Sequence, residues 1–283
     1  MTAPVNWRQP QQLLKAHGLS PKKSFGQNFL VEETHLTGIA RDVLQLFPPS
    51  SANTFVVEYG GGLGALTEHL LAEELKVHCV ERDRDLIPIL RSQFALACEQ
   101  EQLVVHEADA AQFQLPDTEN HWVVCGNLPY HLTSTLVLKA CEQAAHILGA
   151  VFLVQKEVAL RIAANHDNKD YSLLSVLVQS QFDAHVSRYL PAGCFVPPPK
   201  VESAVVVLRK NDRGFASLDK MATLKRLVKQ AFAQRRKTLR NNFKKNPEVQ
   251  NHFEALGVDL GLRPEALPVS IYMKIAERIL GSD

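Results

Sequence analysis

Three glycines at alternate positions, Gly60, Gly62 and Gly64, follow the apolar run Thr54–Tyr59 directly, and a helical pattern to about Leu75 follows them. Such a chain must leave a strand, turn within a few residues and enter a helix. Glycine makes that turn possible because it adopts positive φ without strain and lets the backbone approach a ligand closely. The same alternation then repeats. Val77 to Val80 reads as a second strand, followed by a helix through about Ala97. Leu103 to His106 and Trp122 to Cys125 read as further strands, Thr133 to Ile147 as a helix and Ala150 to Gln155 as a buried strand. Strands and helices alternating at this spacing predict an α/β fold, a parallel sheet with helices on both faces.

Before this region, residues 1–30 read as an irregular N-terminal arm punctuated by Pro10, Gly18, Pro21 and Gly26. Leu36, Ile39, Ala40, Val43, Leu44 and Phe47 recur at helical spacing, and Pro48 ends that helix. After Gln155 come two helical stretches, near Lys156–Ala164 and Leu173–Ser180, and a strand from Ala184 to Tyr189. Pro197-Pro198-Pro199 must be extended, because each proline disfavours helix in the residue before it. Val201 to Arg209 alternates and reads as a late antiparallel strand. Asn211-Asp212-Arg213-Gly214 is a polar linker, beyond which the chain reads as helical to its end. The expected organisation is therefore an arm at 1–30, an α/β domain at 31–210 and a small all-helical domain at 211–283.

The five cysteines are odd in number and widely spaced, with no C-x-x-C pair, which argues against a disulfide framework or zinc site and for a reducing compartment. No secretory h-region opens the chain and no apolar run approaches the roughly 18 residues that cross a bilayer, so a cytoplasmic protein without a membrane partner is expected. Net charge is only +1, yet its distribution is uneven. Nine cations and no acid fall within residues 221–245, leaving the remainder at −8. A block of that kind is the electrostatic footprint of a nucleic-acid contact, or else a solvated helix face.

Glu81 closes the second strand about 20 residues after the glycine turn, where an acid accepts hydrogen bonds from both hydroxyls of a ribose. A nicotinamide dinucleotide would use the same logic, but its fingerprint is G-x-G-x-x-G, whereas here the glycines run 60, 62, 64 behind the acid Glu58. The acid-led form matches the loop with which class I methyltransferases hold S-adenosylmethionine. Asp109, after the third strand, either caps the next element or accepts from an adenine amino group. The fourth strand ends in Asn127-Leu128-Pro129-Tyr130. Two acceptors there, the Asn127 side-chain oxygen and the Leu128 carbonyl, would hold both hydrogens of an exocyclic amine, with Pro129 fixing the turn and Tyr130 stacking on the base. Chemistry of this kind on a base requires that the base leave its stack, and it needs no metal.

Glu58–Gly64, Glu81, Asp109 and Asn127–Tyr130 together resemble the motifs of the ribosomal RNA adenine N6,N6-dimethyltransferases. Phe25-Gly26-Gln27-Asn28-Phe29-Leu30 resembles the family's arm, Phe195 to Val205 its proline segment and following strand, and Gln234 to Asn241 a basic helix of its C-terminal domain. The resemblance spans residues 20–283 and is nearest to the small-subunit (16S) enzymes. It implies a Rossmann-like class I methyltransferase sheet with helices on both faces, plus a small all-helical C-terminal domain. The implied activity is dimethylation of two adjacent adenosines in the 3′-terminal hairpin loop of 16S rRNA, within the immature small ribosomal subunit, by a monomer using S-adenosyl-L-methionine. It implies cofactor contacts from Asn28, Leu30, Glu58, Gly60, Gly62, Glu81, Asp109 and Asn127, and catalytic roles for Asn127, Leu128, Pro129 and Tyr130. Phe195 is either a second aromatic face opposite Tyr130 or a core anchor. RNA contacts are expected from Lys22, Lys23, Arg235, Arg236, Lys237 and Arg240. Where the family loop usually has proline this chain has Gly61, which predicts a looser turn with every contact kept. A large-subunit dimethyltransferase of the macrolide-resistance type, and an assembly factor that chiefly binds immature subunits, are the alternatives.

Overall fold

A computed structural model describes residues 7–48, 54–115, 121–215 and 217–281, without the side chain of Lys23. Two compact units result, residues 1–159 with 186–209, and residues 160–185 with 210–283. The helical unit thus takes in residues 160–185, which the sequence places in the α/β domain. Helical stretches after the sheet carry their apolar faces to partners far along the chain, and linear order does not show that.

In the first unit, α1 (Pro10–Ala16) is followed by β1 (Phe29–Leu30) and α2 (Glu33–Leu44). The arm is therefore not irregular throughout. Its Trp7 and Leu14 are buried, and burying a leucine contributes about 1.5–3 kcal/mol relative to leaving it in water. Then come β2 (Thr54–Tyr59), α3 (Ala65–Ala72), β3 (Val77–Glu81), α4 (Ile87–Gln93), α5 (Ala95–Glu99) and β4 (Leu103–Glu107). The expected single helix to Ala97 is broken at Phe94, whose backbone leaves the helical region. β5 (His121–Asn127), α6 (Thr133–Glu142) and β6 (Ile147–Gln155) complete the parallel part. Next along the chain come α7 (Lys156–Ala163), α8 (Leu173–Gln179), which belongs to the second unit, β7 (Phe182–Leu190), β8 (Phe195–Val196) and β9 (Ser203–Lys210).

The main sheet has the order β4-β3-β2-β5-β6-β9-β7. Its first five strands pair in parallel and β9 pairs antiparallel with β6, from Gly149 opposite Arg209 to Gln155 opposite Ser203. Val56, Val57, Val123, Val124, Val151 and Phe152 are wholly buried, as strands covered on both faces require. Separately, β1 and β8 form a two-stranded antiparallel ribbon with Leu30 opposite Phe195.

The second unit contains α9 (Leu218–Ala231), α10 (Leu239–Asn242), α11 (Pro247–Glu254) and α12 (Val269–Leu280). Leu224, Leu227, Val228 and Ala231 form the buried stripe of α9. The segment Gln234–Asn241, expected as a basic helix, is instead a run of turns entering the one-turn α10. No helix among the described residues is long and apolar enough to cross a membrane.

Candidate active site

The carboxyl ends of β2, β3, β4 and β5 and the arm segment Phe25–Phe29 line one cleft of about 870 Å³. Open α/β sheets place ligands at this edge. Gly60, Gly62 and Gly64 all have positive φ, between 56° and 82°. A Cβ at Gly60 would project into space whose nearest atom is the Asn127 carbonyl oxygen at 4.0 Å, so the turn forms an open cradle. Gly61 is different. A Cβ there would lie 2.1 Å from Cys79 Sγ, which occupies the space beneath the turn. The turn is packed from below, and the looser turn expected from Gly61 is not what the structure shows.

Glu81 and Asp109 both line the cleft. Glu81 accepts from the Gly62 amide at 2.8 Å and from the Asp83 amide at 2.7 Å, which fixes its carboxylate beside the glycine turn. Burial raises its pKa. Asp109 accepts from the Ala111 amide at 2.9 Å and pairs with Arg82 at 3.1 Å. Glu58 is 1% exposed and accepts the Thr67 hydroxyl at 2.6 Å. It and Leu30 do not line the main cleft but a smaller cavity, shared with Gly60, Gly62, Phe29, Asn127 and Trp7. Burial pushes the Glu58 carboxyl up to about 7.

Asn127 ends β5, where its chain pairs with Leu153. Its Nδ2 donates to the Asn28 carbonyl at 2.8 Å, so Oδ1 is the end of the amide left to accept. Leu128 donates its amide to the Leu153 carbonyl at 3.0 Å and is buried. The Pro129 carbonyl accepts from the Leu132 amide at 2.9 Å, turning the chain into α6. Tyr130 is tethered through its hydroxyl to Ser203 Oγ at 2.8 Å, which fixes the ring at the cleft wall.

Several expected residues lie elsewhere. Phe195 is 2% exposed, belongs to the core cluster and does not line the cleft, so the core-anchor alternative is the observed one. Lys22 is not free for RNA, because its ammonium meets Asp83 at 2.5 Å and Asp85 at 2.6 Å. The side chain of Lys23 lies outside the described residues. Arg235 donates to the Lys169 and Tyr171 carbonyls at 2.5 and 3.2 Å, which ties its turn to the unit's own backbone. Arg236, Lys237 and Arg240 are exposed. Gln27 and Asp83 were not expected; Gln27 sits inside the arm motif, but nothing in the sequence links it to an acid 56 residues away. His78 and His106 stack at 5.1 Å in a packed aromatic cluster.

This sheet, with a glycine cradle after β2 and carboxylates at the next two strand ends, defines a class I methyltransferase domain. The comparisons with known proteins agree. The family model described as ribosomal RNA adenine dimethylase matches residues 18–280. The ribosomal RNA small subunit methyltransferases A of Anaeromyxobacter sp. strain K and Myxococcus xanthus are 40% and 42% identical, covering 98% and 96% of this chain and 99% and 95% of theirs. A dimethyladenosine transferase from Plasmodium falciparum superposes with a TM-score of 0.73 at 25% identity, over 86% of this chain and 96% of its own. The 23S rRNA methyltransferase ErmE shares the fold, with a TM-score of 0.66 at 24% identity over 89% and 99% of the two chains. The chain belongs to the ribosomal RNA adenine dimethylase family.

Proposed function

We propose that the protein dimethylates the N6 amines of two adjacent adenosines in the 3′-terminal hairpin loop of 16S rRNA, during small-subunit assembly, with S-adenosylmethionine as methyl donor. The observation that carries this reading is the Asn127 amide, whose nitrogen is spent on the Asn28 carbonyl so that Oδ1 accepts from a substrate amine. Relatives 40–42% identical over nearly their whole length, all called small subunit methyltransferases, support the small-subunit target over the large-subunit alternative.

The residues present fit the methyl donor. The open cradle at Gly60 admits a ligand against the backbone, and the Glu81 carboxylate beside it receives ribose hydroxyls. Asp109 receives the adenine amine and Asn28 contributes from the arm side of the main cleft, while Leu30 and Glu58 hold the remainder around the smaller cavity. When bound, the donor supplies an electrophilic methyl group on a sulfonium. Adenine's exocyclic nitrogen is a weak nucleophile because its lone pair is delocalised into the ring. Asn127 Oδ1 and the Leu128 carbonyl accept its two hydrogens, which localises that lone pair by fixed electrostatics. Pro129 holds the two acceptors in one turn, and Tyr130 stacks on the base that has left its helix. The methylated nitrogen is acidic enough to lose its proton to water. Arg236, Lys237 and Arg240 supply phosphate contacts, which position an RNA without reading its sequence.

Incorporation of labelled methyl groups into unmodified small ribosomal subunits tests the reading. Label in two neighbouring adenosines near the 3′ end of the small-subunit RNA is expected. Label only in large-subunit RNA, or subunit binding without incorporation, would overturn it in favour of the resistance-type enzyme or the assembly factor.

A further inference from the structure

The arm segment Lys22–Asn28 touches two parts of the site at once. On one side, Gln27 Nε2 donates to Asp83 Oδ2 at 2.8 Å, and Lys22 Nζ meets Asp83 Oδ1 at 2.5 Å. Gln27 Oε1 accepts the Lys22 backbone amide at 2.7 Å, so one side chain both closes the arm on itself and fastens it down. Asp83 is 3% exposed, and its own amide donates to Glu81 Oε1. On the other side, the next residue, Asn28, offers the carbonyl that takes the Asn127 amide. Without Gln27 and Lys22 this buried carboxylate would keep only the Asp85 amide, at 3.1 Å, and that desolvation cost favours the seated arm.

Resting on the methyltransferase reading above, we infer that Gln27 and Asp83 are positioning residues. Their pairing seats the arm so that Asn28 turns the Asn127 amide oxygen toward the substrate, and it links that orientation to the carboxylate of Glu81. A side-chain amide has no strong preference for which end points where until a partner decides it. Here the deciding partner is a backbone carbonyl, and that carbonyl is placed by a buried acid 55 residues further along the chain. Small misplacements of a reacting group cost up to about 10²-fold in rate, so loss of the latch is expected mainly in turnover.

The test is an exchange of the two partners. Asp83→Asn must turn its NH2 either toward Gln27 Nε2 or toward Lys22 Nζ and the Asp85 amide, so at least one donor that Asp83 now satisfies loses its acceptor. Adding Gln27→Glu restores one donor, one acceptor and the same total charge with the polarity reversed. On unmodified small subunits, Asp83→Asn is expected to lower kcat by about 10- to 100-fold with KM for the subunit little changed, and the exchanged pair to recover most of that loss. Affinity for S-adenosylhomocysteine, measured by calorimetry, should weaken and recover in parallel, because the arm residues Gln27 and Asn28 line the same cleft as Glu81. A wild-type kcat in Asp83→Asn, or an exchanged pair that melts like wild type and stays as slow as Asp83→Asn, overturns the inference. Absence of RNA methylation by the wild-type protein would instead overturn the functional reading, and the S-adenosylhomocysteine affinities of the two variants would still decide the latch.

Discussion

Asn127 donates its side-chain amide to the backbone carbonyl of Asn28, a residue 99 positions earlier, at 2.8 Å. The bond joins the end of β5, proposed above to meet the substrate, to an arm that sequence order places far away. It also settles the polarity of the side chain to which the proposed chemistry assigns the amine. Replacing Asn127 with alanine removes an acceptor and leaves the cradle, Glu81 and Asp109 intact. Turnover is expected to fall by about 10²- to 10³-fold, with affinity for the subunit within a few-fold of wild type. Single-turnover methyl transfer at saturating concentrations checks it.

Gly61 and Cys79 share one packing site. Proline at position 61, the usual residue in the family loop, would bring a Cβ to 2.1 Å from Cys79 Sγ. Gly61→Pro alone is expected to cost about 1–3 kcal/mol of stability through overpacking. In a Cys79→Ala background the cost should shrink by about 1 kcal/mol, and a thermodynamic cycle from denaturant melts measures that coupling.

Glu58 makes the domain less stable as pH rises. Burial lifts its carboxyl from the ordinary 4.5 to about 7, so between those values the unfolded chain has released a proton that the folded one keeps. Stability from this group is full below about pH 4.5 and is lost progressively up to about pH 7, a change on the order of 3 kcal/mol. Glu58→Gln keeps an acceptor for the Thr67 hydroxyl and removes the ionisation. Its stability should therefore exceed wild type near pH 8 and decline less between pH 4.5 and 7, as followed by urea midpoints across that range.

The four cations of the second unit expected to meet RNA separate into two kinds. Arg235 holds the Lys169 and Tyr171 carbonyls, whereas Arg236, Lys237 and Arg240 are exposed. Alanine at Arg235 is expected to lower the melting temperature. Alanine at Arg236, Lys237 or Arg240 should leave melting unchanged and reduce the salt dependence of RNA binding by about 0.7 in log–log slope for each phosphate no longer neutralised. Titrations at three or more salt concentrations, paired with thermal melts, distinguish the two behaviours.

Much of the site was legible in the sequence because its parts are local. Gly60, Gly62 and Gly64 can take the left-handed backbone of the turn without strain, and a strand that ends in Glu81 or in Asn127-Leu128-Pro129-Tyr130 delivers those groups to the same edge of a parallel sheet. The alternation of strand and helix likewise set the layer architecture before any contact was known.

The tertiary structure decided the partners. Phe195 went to the core, Lys22 to Asp83 and Asp85, and Arg235 to two backbone carbonyls. Gln27, whose motif neighbours drew attention only to Asn28 and Leu30, became the fastening of the arm. The reason is the same in each case. A residue's type limits which interactions it can make, but a long polar side chain takes whichever partner the fold brings within about 3 Å, and an aromatic ring is buried or exposed according to what lies across from it. Sequence therefore determined the sheet, the cradle and the acids at its edge, while the juxtaposition of Asn28 with Asn127 and of Gln27 with Asp83 exists only once distant elements have packed together.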